Sequence, residues 1–405
     1  MTFHAVVPAP LTILENIFKV PPASLLIIDQ NNHRNATTYW CASYIPNQHK
    51  PYEELKDELI YLLAQSVERR CIADVPVGVL LSGGIDSSLI VALLAYSGKS
   101  HIKTFSIGFE DIEDEEGNEF YYSDLISNHF ATDHQKIYIR STKLLDSLED
   151  CVTTMSEPMV SHDNIGFFLL SQKICKHIKV VQSGQGADEI FGGYMWYPPL
   201  MESNNALEDY TRVFFDISHS EFCQAICSHN VFEDFSRQFV KRHFQQKGAQ
   251  EAIDKALRLD TTVMLVEDPL KRVDNMTMAW GLEARVPFLD HEIVEYAAKT
   301  PSDWKIYNGI GKYILKEAAR KFLPAQVIDR PKRPFPVPAL KYIQGPYLDM
   351  VRTVLESNAC RTRNIFRQDY IRTLLESPLR HMTPLKMSKL WQIAMLEFWC
   401  QLHLD

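Results

Sequence analysis

A chain of 405 residues, 46% hydrophobic and 23% charged, describes a soluble globular protein with a sizeable core, in one large α/β domain or two moderate ones. With 42 basic against 51 acidic side chains it is mildly acidic, which argues against nucleic acid or an anionic membrane surface as the main partner. A local basic pocket for phosphates stays compatible with that balance.

In chain order, residues 1–50 read as the end of something: Ser24 to Ile28 and Thr37 to Trp40 predict two strands around a polar turn. Two strands alone are not stable in water, so they must dock on the main domain or belong to a domain lying upstream. Met1 to Leu14 is apolar but lacks a basic n-region and carries Pro8 and Pro10, a poor signal peptide. No apolar run approaches the ~20 residues that span a bilayer. The eight cysteines are scattered, which fits reduced thiols and a cytoplasmic setting. Cys223, Cys227 and His229, like Cys175 with His177, lack a second ligand pair and read as packed side chains rather than metal sites.

Tyr52 to Cys71 has the spacing of an amphipathic helix, with Leu55, Leu59, Leu62, Leu63 and Val67 on one stripe. Val77 to Leu81 then reads as a buried parallel strand, Ser82-Gly83-Gly84 as a tight turn, and Ser87 to Tyr96 as a helix packed back on the sheet. Glycines let a backbone close around an anion, and a helix start presents free N–H groups to it. Asp86 stands where it could hold a cation against that anion. The turn is not a Walker loop, since no Gly-Lys-Ser/Thr follows. An ordinary junction with helix-capping serines is the alternative.

Strands at Ile102 to Phe109 and Asp133 to Ile139 alternate with a helix at Tyr122 to Phe130, and the acidic run Glu110 to Glu119 reads as a solvated loop. After a helix at Ile165 to His177 and the short strand Val180-Val181 comes a second glycine turn, Ser183 to Glu189. The alternation predicts a doubly wound parallel sheet. From about residue 200 the chain reads as mostly helical, with one irregular loop at 331–338. Ligands of open parallel sheets sit outside the strands' carboxyl ends. One site could therefore collect Ser82, Gly83, Gly84, Asp86 and Ser87 with Ser183, Gly184, Asp188 and Glu189. Asp86 and Asp188 would clamp Mg²⁺, which takes one or two carboxylates plus phosphate oxygens, although either could instead cap a helix.

Ser82-Gly83-Gly84-Ile85-Asp86-Ser87 resembles the pyrophosphate loop (PP-loop) of the N-type ATP pyrophosphatases, whose fold is adenine nucleotide α-hydrolase-like. Ser183 to Tyr194 (SGQGADEIFGGY), Arg272 to Asp290 (RVDNMTMAWGLEARVPFLD), Lys312 to Glu317 and Pro324 are similar to the asparagine synthetase branch. The likeness runs from about residue 50 onward, so residues 51–405 are expected to form the synthetase domain. The resemblance implies a carboxylic acid adenylated by ATP with loss of pyrophosphate, then aminated by ammonia to an amide plus AMP. It implies Mg²⁺ on Asp86 and Asp188, Lys312 on the phosphates, and Leu80 and Ile107 beside the adenosine. Asp274 and Asn275 fall where the family's substrate-side residues lie. Glu189, Arg285 and Lys332 are further candidates on that side, a structural salt bridge being the alternative for the last two.

Two features depart from the family pattern. Gln185 stands where asparagine synthetases usually carry a Glu thought to handle the proton of ammonia, and a neutral amide accepts no proton there. With residues 335–347 and 383–399, this is most similar to N-acetylglutaminylglutamine amide synthetases, relatives that amidate a dipeptide to make an osmoprotectant. Position 2 is Thr2 rather than the nucleophilic cysteine of the family's glutaminase domain, and residues 1–50 resemble only that domain's last strands. Ammonia is then expected free in solution, from a separate glutaminase subunit, or from a domain upstream of the sequence. A β-lactam synthetase-like ring closure and a catalytically silent nucleotide-binding partner are the competing readings. Recognition of the acid is spread over the helical half, and a homodimer is left open.

Overall fold

Short apolar runs become strands wherever helices cover both of their faces. The computed structural model describes residues 2–46, 50–111, 116–227, 233–331, 337, 340 and 343–405. Its strands in chain order are β1 (Ser24–Ile28), β2 (Arg34–Thr38), β3 (Val77–Leu80), β4 (Lys103–Phe109), β5 (Asp133–Ile139), β6 (Val180–Gln182) and β7 (Glu283–Arg285). The last five form one sheet in the order β5-β4-β3-β6-β7, every pair parallel. This is the doubly wound α/β arrangement that the alternation predicts. β1 and β2 pair with each other as a separate antiparallel hairpin that is largely exposed.

The helices of the first half are α1 (Tyr52–Arg69), α2 (Ile85–Tyr96), α3 (Phe120–His129), α4 (Ser141–Asp146), α5 (Leu148–Thr153), α6 (Asp163–Ile174) and α7 (Ala187–Phe191). Alternate side chains of β3 enter opposite cores: Val79 packs with α1 and α2, while Leu80 packs with Phe105, Phe109 and α6. α2 buries nine of its twelve residues, which explains an apolar stretch with no polar stripe. On α1 the stripe Leu55, Leu59, Leu63 and Val67 is buried, each leucine contributing about 1.5–3 kcal/mol.

The helical second half differs from expectation in one respect. Glu283–Arg285 forms β7, the fifth strand of the parallel sheet, at its edge beside β6. Three residues of mixed polarity carry no strand pattern of their own; pairing to β6, a hundred residues earlier, decides their conformation. Further on, residues Asp260–Met264 and Val266–Leu270 are π-helical and lead into the helix Lys271–Met278.

The cysteines behave as packed thiols, none in a disulfide. Cys175 Sγ donates to the Gln172 carbonyl at 3.4 Å, and Cys223 Sγ lies 3.6 Å from His219 Nε2; His229 is outside the described residues. Among the described residues no helix is long and apolar enough to cross a membrane.

Candidate active site

The chain runs from β3 outward to β4 and β5, then returns to add β6 and β7 on the other side of β3. The strand order therefore reverses between β3 and β6, and a crevice opens at such a switch point, outside the strands' carboxyl ends. The two glycine turns leave these two neighbouring strands. They touch: a Cβ on Gly184 would stand 2.8 Å from Asp86 Cβ and 3.0 Å from the Ser87 backbone nitrogen. Only glycine permits that approach.

The first turn is held by its own serines. Ser82 N–H donates to Ser87 Oγ at 3.2 Å, and Gly84 N–H donates to Ser82 Oγ at 3.2 Å. Gly83 takes φ +72°, a left-handed conformation, and packs directly under Tyr122 and Ser123 at the start of α3. Gly84 is the N-cap of α2, which has no side-chain cap hydrogen bond, so the helix start faces the crevice with its positive end.

The second turn, Ser183 to Gly186, leads into α7, which carries Asp188 and Glu189 in its first turn. Lys312 arrives from a distant segment. Its backbone N–H donates to the Phe191 carbonyl at 3.1 Å, and Lys312 itself is left-handed with φ +55° at the start of the helix Tyr313–Ala319. Gly193 lets the stem pass, because a Cβ there would collide with Asp188 and with Lys312 Cε. The ammonium ends between the loops, 2.6 Å from Asp86 Oδ2 and 2.9 Å from Asp188 Oδ1. Burial pulls the Lys312 pKa down, but the Asp188 and Asp86 carboxylates outweigh it and the net shift is upward. Lys312 therefore stays charged across the physiological range.

The model of the asparagine synthase family matches residues 58–401. The chain belongs to the asparagine synthase family. Asparagine synthetase [glutamine-hydrolyzing] 1 of Bacillus subtilis is 27% identical over 98% of this chain and 67% of its own length. Asparagine synthetase B of Escherichia coli is 28% identical over 69% of this chain and 44% of its own, and the asparagine synthetase of Bos taurus 26% identical over 70% and 43%. The chain thus spans about two thirds of the Bacillus relative and under half of the other two. An NH3-dependent NAD synthetase from Campylobacter jejuni aligns with 56% of this chain at 14% identity and a TM-score of 0.25, a loose likeness.

As an asparagine synthase-family chain, the protein brings Ser82, Gly83, Gly84, Asp86, Ser87, Gly184, Asp188 and Lys312 to one crevice. Ser183 extends the β6 ladder, its N–H donating to the Arg285 carbonyl at 2.8 Å. Leu80 and Ile107 lie on one face of the sheet against the same apolar cluster, Leu80 buried and Ile107 half-buried. Gln185 is half-buried in the second turn. Glu189 is buried, with the Tyr194 hydroxyl donating to its Oε1 at 2.8 Å.

Two of the other substrate-side candidates make structural hydrogen bonds. Arg285 donates from Nη1 to the carbonyls of Arg70 and Ile72 and from Nε to Glu283, tying β7 to the end of α1. Asn275 Oδ1 accepts from the Ser156 N–H at 2.8 Å, and Asp274 is exposed on the same helix. Lys332 lies outside the described residues.

Two further arginines were given no role by the sequence reading. Arg330 forms a two-point ion pair with Glu119 (3.0 and 3.2 Å), stacks 4.3 Å over the Tyr122 ring, and reaches within 3.4 Å of where a Gly84 Cβ would be. Arg272 is buried against Asp268, Asp163 and Ser161. Only the run DRPKRP around Arg330 hinted at the first, and the second opens the motif Arg272 to Asp290 with no role read for it.

The donor set suits Mg²⁺: two carboxylates, Asp86 at the start of α2 and Asp188 at the start of α7, bridged by one ammonium. Among the described residues no three His, Cys, Asp or Glu side chains form a metal cage, and Mg²⁺ shared with phosphate oxygens needs none.

Proposed function

We propose that the protein joins ammonia to a carboxylic acid at the expense of ATP, releasing pyrophosphate when the acid is adenylated and AMP when the amide forms. The observation that carries this reading is the meeting of the β3 and β6 turns around Lys312, Asp86 and Asp188. The curated relatives named above are asparagine synthetases described as glutamine-hydrolyzing.

The work divides by position. The N–H groups of the first turn of α2 receive the pyrophosphate end of ATP, where negative charge builds as the acid attacks the α-phosphorus. Asp86 and Asp188 would hold Mg²⁺, which supplies charge neutralisation on those oxygens when bound. Lys312 adds a fixed positive charge at the same point. Leu80 and Ile107 offer an apolar wall for the adenosine. Gln185 donates or accepts a hydrogen bond but takes no proton, so deprotonation of the incoming ammonium falls to another group. Asp188 being taken by the metal role, the next carboxylate along the chain is Glu189, one helical turn on from Gln185 and buried. That replacement favours an acceptor other than aspartate, and an N-acetylated dipeptide acid is the substrate class proposed.

The test is incubation with ATP, Mg²⁺, ammonium chloride and a panel of acids including aspartate and N-acetyl-glutaminylglutamine. Acid-dependent pyrophosphate release with a matching amide supports the reading. Formation of ADP and phosphate instead, or no AMP with any acid, would sink it.

A further inference from the structure

We infer that Lys312 has a second role before any nucleotide arrives: its ammonium is the resident cation of the site, holding Asp86 and Asp188 together and yielding them on metal–nucleotide binding. The inference rests on the ATP-dependent reading above and adds to it what this lysine does in the nucleotide-free protein.

Three observations carry it. The Nζ sits 2.6 and 2.9 Å from one oxygen of each carboxylate, the place a metal shared by the two loops would take. The lysine side chain is only 6% exposed while the two aspartates are 19% and 18% exposed, so solvent reaches the aspartates more readily than the ammonium they hold. The backbone of Lys312 is pinned by its hydrogen bond to Phe191, so any displacement of the ammonium is made by the four-carbon stem, past the opening that Gly193 leaves for it.

The consequence follows from charge and space. Mg²⁺ binds oxygen at about 2.0–2.1 Å, so a metal on the same two oxygens would lie against the ammonium. Like charges that close repel strongly in a partly buried site. The ammonium must swing off the carboxylates, and because Lys312 caps the helix Tyr313–Ala319 at the mouth of the crevice, it retracts toward the phosphates. One side chain thus serves first as spacer and then as phosphate ligand. Metal alone competes poorly with it; metal carried on a triphosphate brings the lysine a new partner.

Mn²⁺ is the probe, its binding followed by electron paramagnetic resonance at pH 8 with and without ATP, in wild type and in Lys312→Met. The wild type is expected to hold Mn²⁺ weakly alone and tightly with ATP. Lys312→Met should hold Mn²⁺ alone about tenfold more tightly than wild type, since the competing charge is gone. Adding Asp188→Asn to that variant should remove the gain. Lys312→Gln is the second neutral variant should Lys312→Met not fold, with circular dichroism as the check. Unchanged or weaker Mn²⁺ binding in the neutral variants, with normal Mn²⁺–ATP uptake by wild type, overturns the role given to Lys312 alone. A wild type that takes up no Mn²⁺ even with ATP overturns this inference and the ATP-dependent reading together.

Discussion

Two lysines seven residues apart meet carboxylates in opposite ways. Lys305 is fully buried and pairs with one aspartate, Asp254, itself 2% exposed, at 3.2 Å. Lys312 lies at a crevice and meets two aspartates, each about a fifth exposed. Burial pulls both pKa values down, yet the net shift is downward for Lys305 and upward for Lys312. One carboxylate is not enough to offset desolvation; two are. The Lys305 pair is neutral and closed, so it braces the helix Ala252–Leu259 against the segment Ser302–Lys305. The Lys312 cluster sets two carboxylates around one ammonium where solvent still reaches the aspartates, the condition for exchanging one cation for another.

The largest effect expected from this contrast is on turnover. Asp188→Asn should lower kcat by about 10³-fold, the scale of removing one preorganised charge stabiliser, with an unchanged melting temperature because Lys312 and Asp86 remain paired. Lys305→Met should do the reverse. Stranding the buried Asp254 costs about 3–5 kcal/mol of stability, while activity per folded molecule stays at the wild-type value. Urea unfolding and steady-state pyrophosphate release, run on both variants, would break the comparison if the two effects were exchanged.

Another buried carboxylate marks what happens with no lysine at all. Asp260, buried, accepts from the Tyr197 and Tyr210 hydroxyls. Burial lifts its pKa from 3.8 to about 6, the phenol hydrogen bonds only moderating the rise. A folded-state pKa above the unfolded value means the native protein binds the proton more tightly. The associated stability is complete below about pH 4 and is lost as pH rises through about 6, some ~3 kcal/mol for a shift of two units. Asp260→Asn should flatten that slope, gaining on wild type as the pH goes from 4 to 7. Parallel urea titrations at the two pH values check it, and equal slopes in both proteins would remove Asp260 as the cause.

Much of the crevice was legible because its signals are local. The turn Ser82-Gly83-Gly84 and the turn Ser183 to Gly186 each follow an apolar run, and strand ends in an alternating βα chain share one side of the sheet. Lys312 was legible only through the family resemblance. A lysine at φ +55° held by Phe191, 121 positions earlier, leaves no periodic trace in the sequence. β7 was hidden for a related reason: its partner β6 imposes the strand, and Glu-Ala-Arg alone does not ask for one. Arg285 shows the structural alternative at work. Its charge suggested a ligand, but the ends of α1 and β7 meet there, and its guanidinium satisfies backbone carbonyls that the helix end leaves open.

Arg330 combines the two cases and should give the smallest effect. By charge it resembles Lys305, a cation matched to one carboxylate, Glu119, and only 10% exposed. By location it resembles Lys312, since its guanidinium lies beside Gly84 and holds the start of α3 over the Gly83 turn. The fork and the stacking on Tyr122 are both properties of a planar guanidinium that an ammonium does not reproduce. Arg330→Lys therefore keeps the charge and loses the geometry, which loosens the roof of the turn without emptying it of positive potential. The expected result is an increase of about tenfold in the KM for ATP, with kcat within about twofold of wild type. A fall in kcat at constant KM would instead place the Arg330 charge on the reacting phosphates, making it a partner of Lys312 rather than a brace.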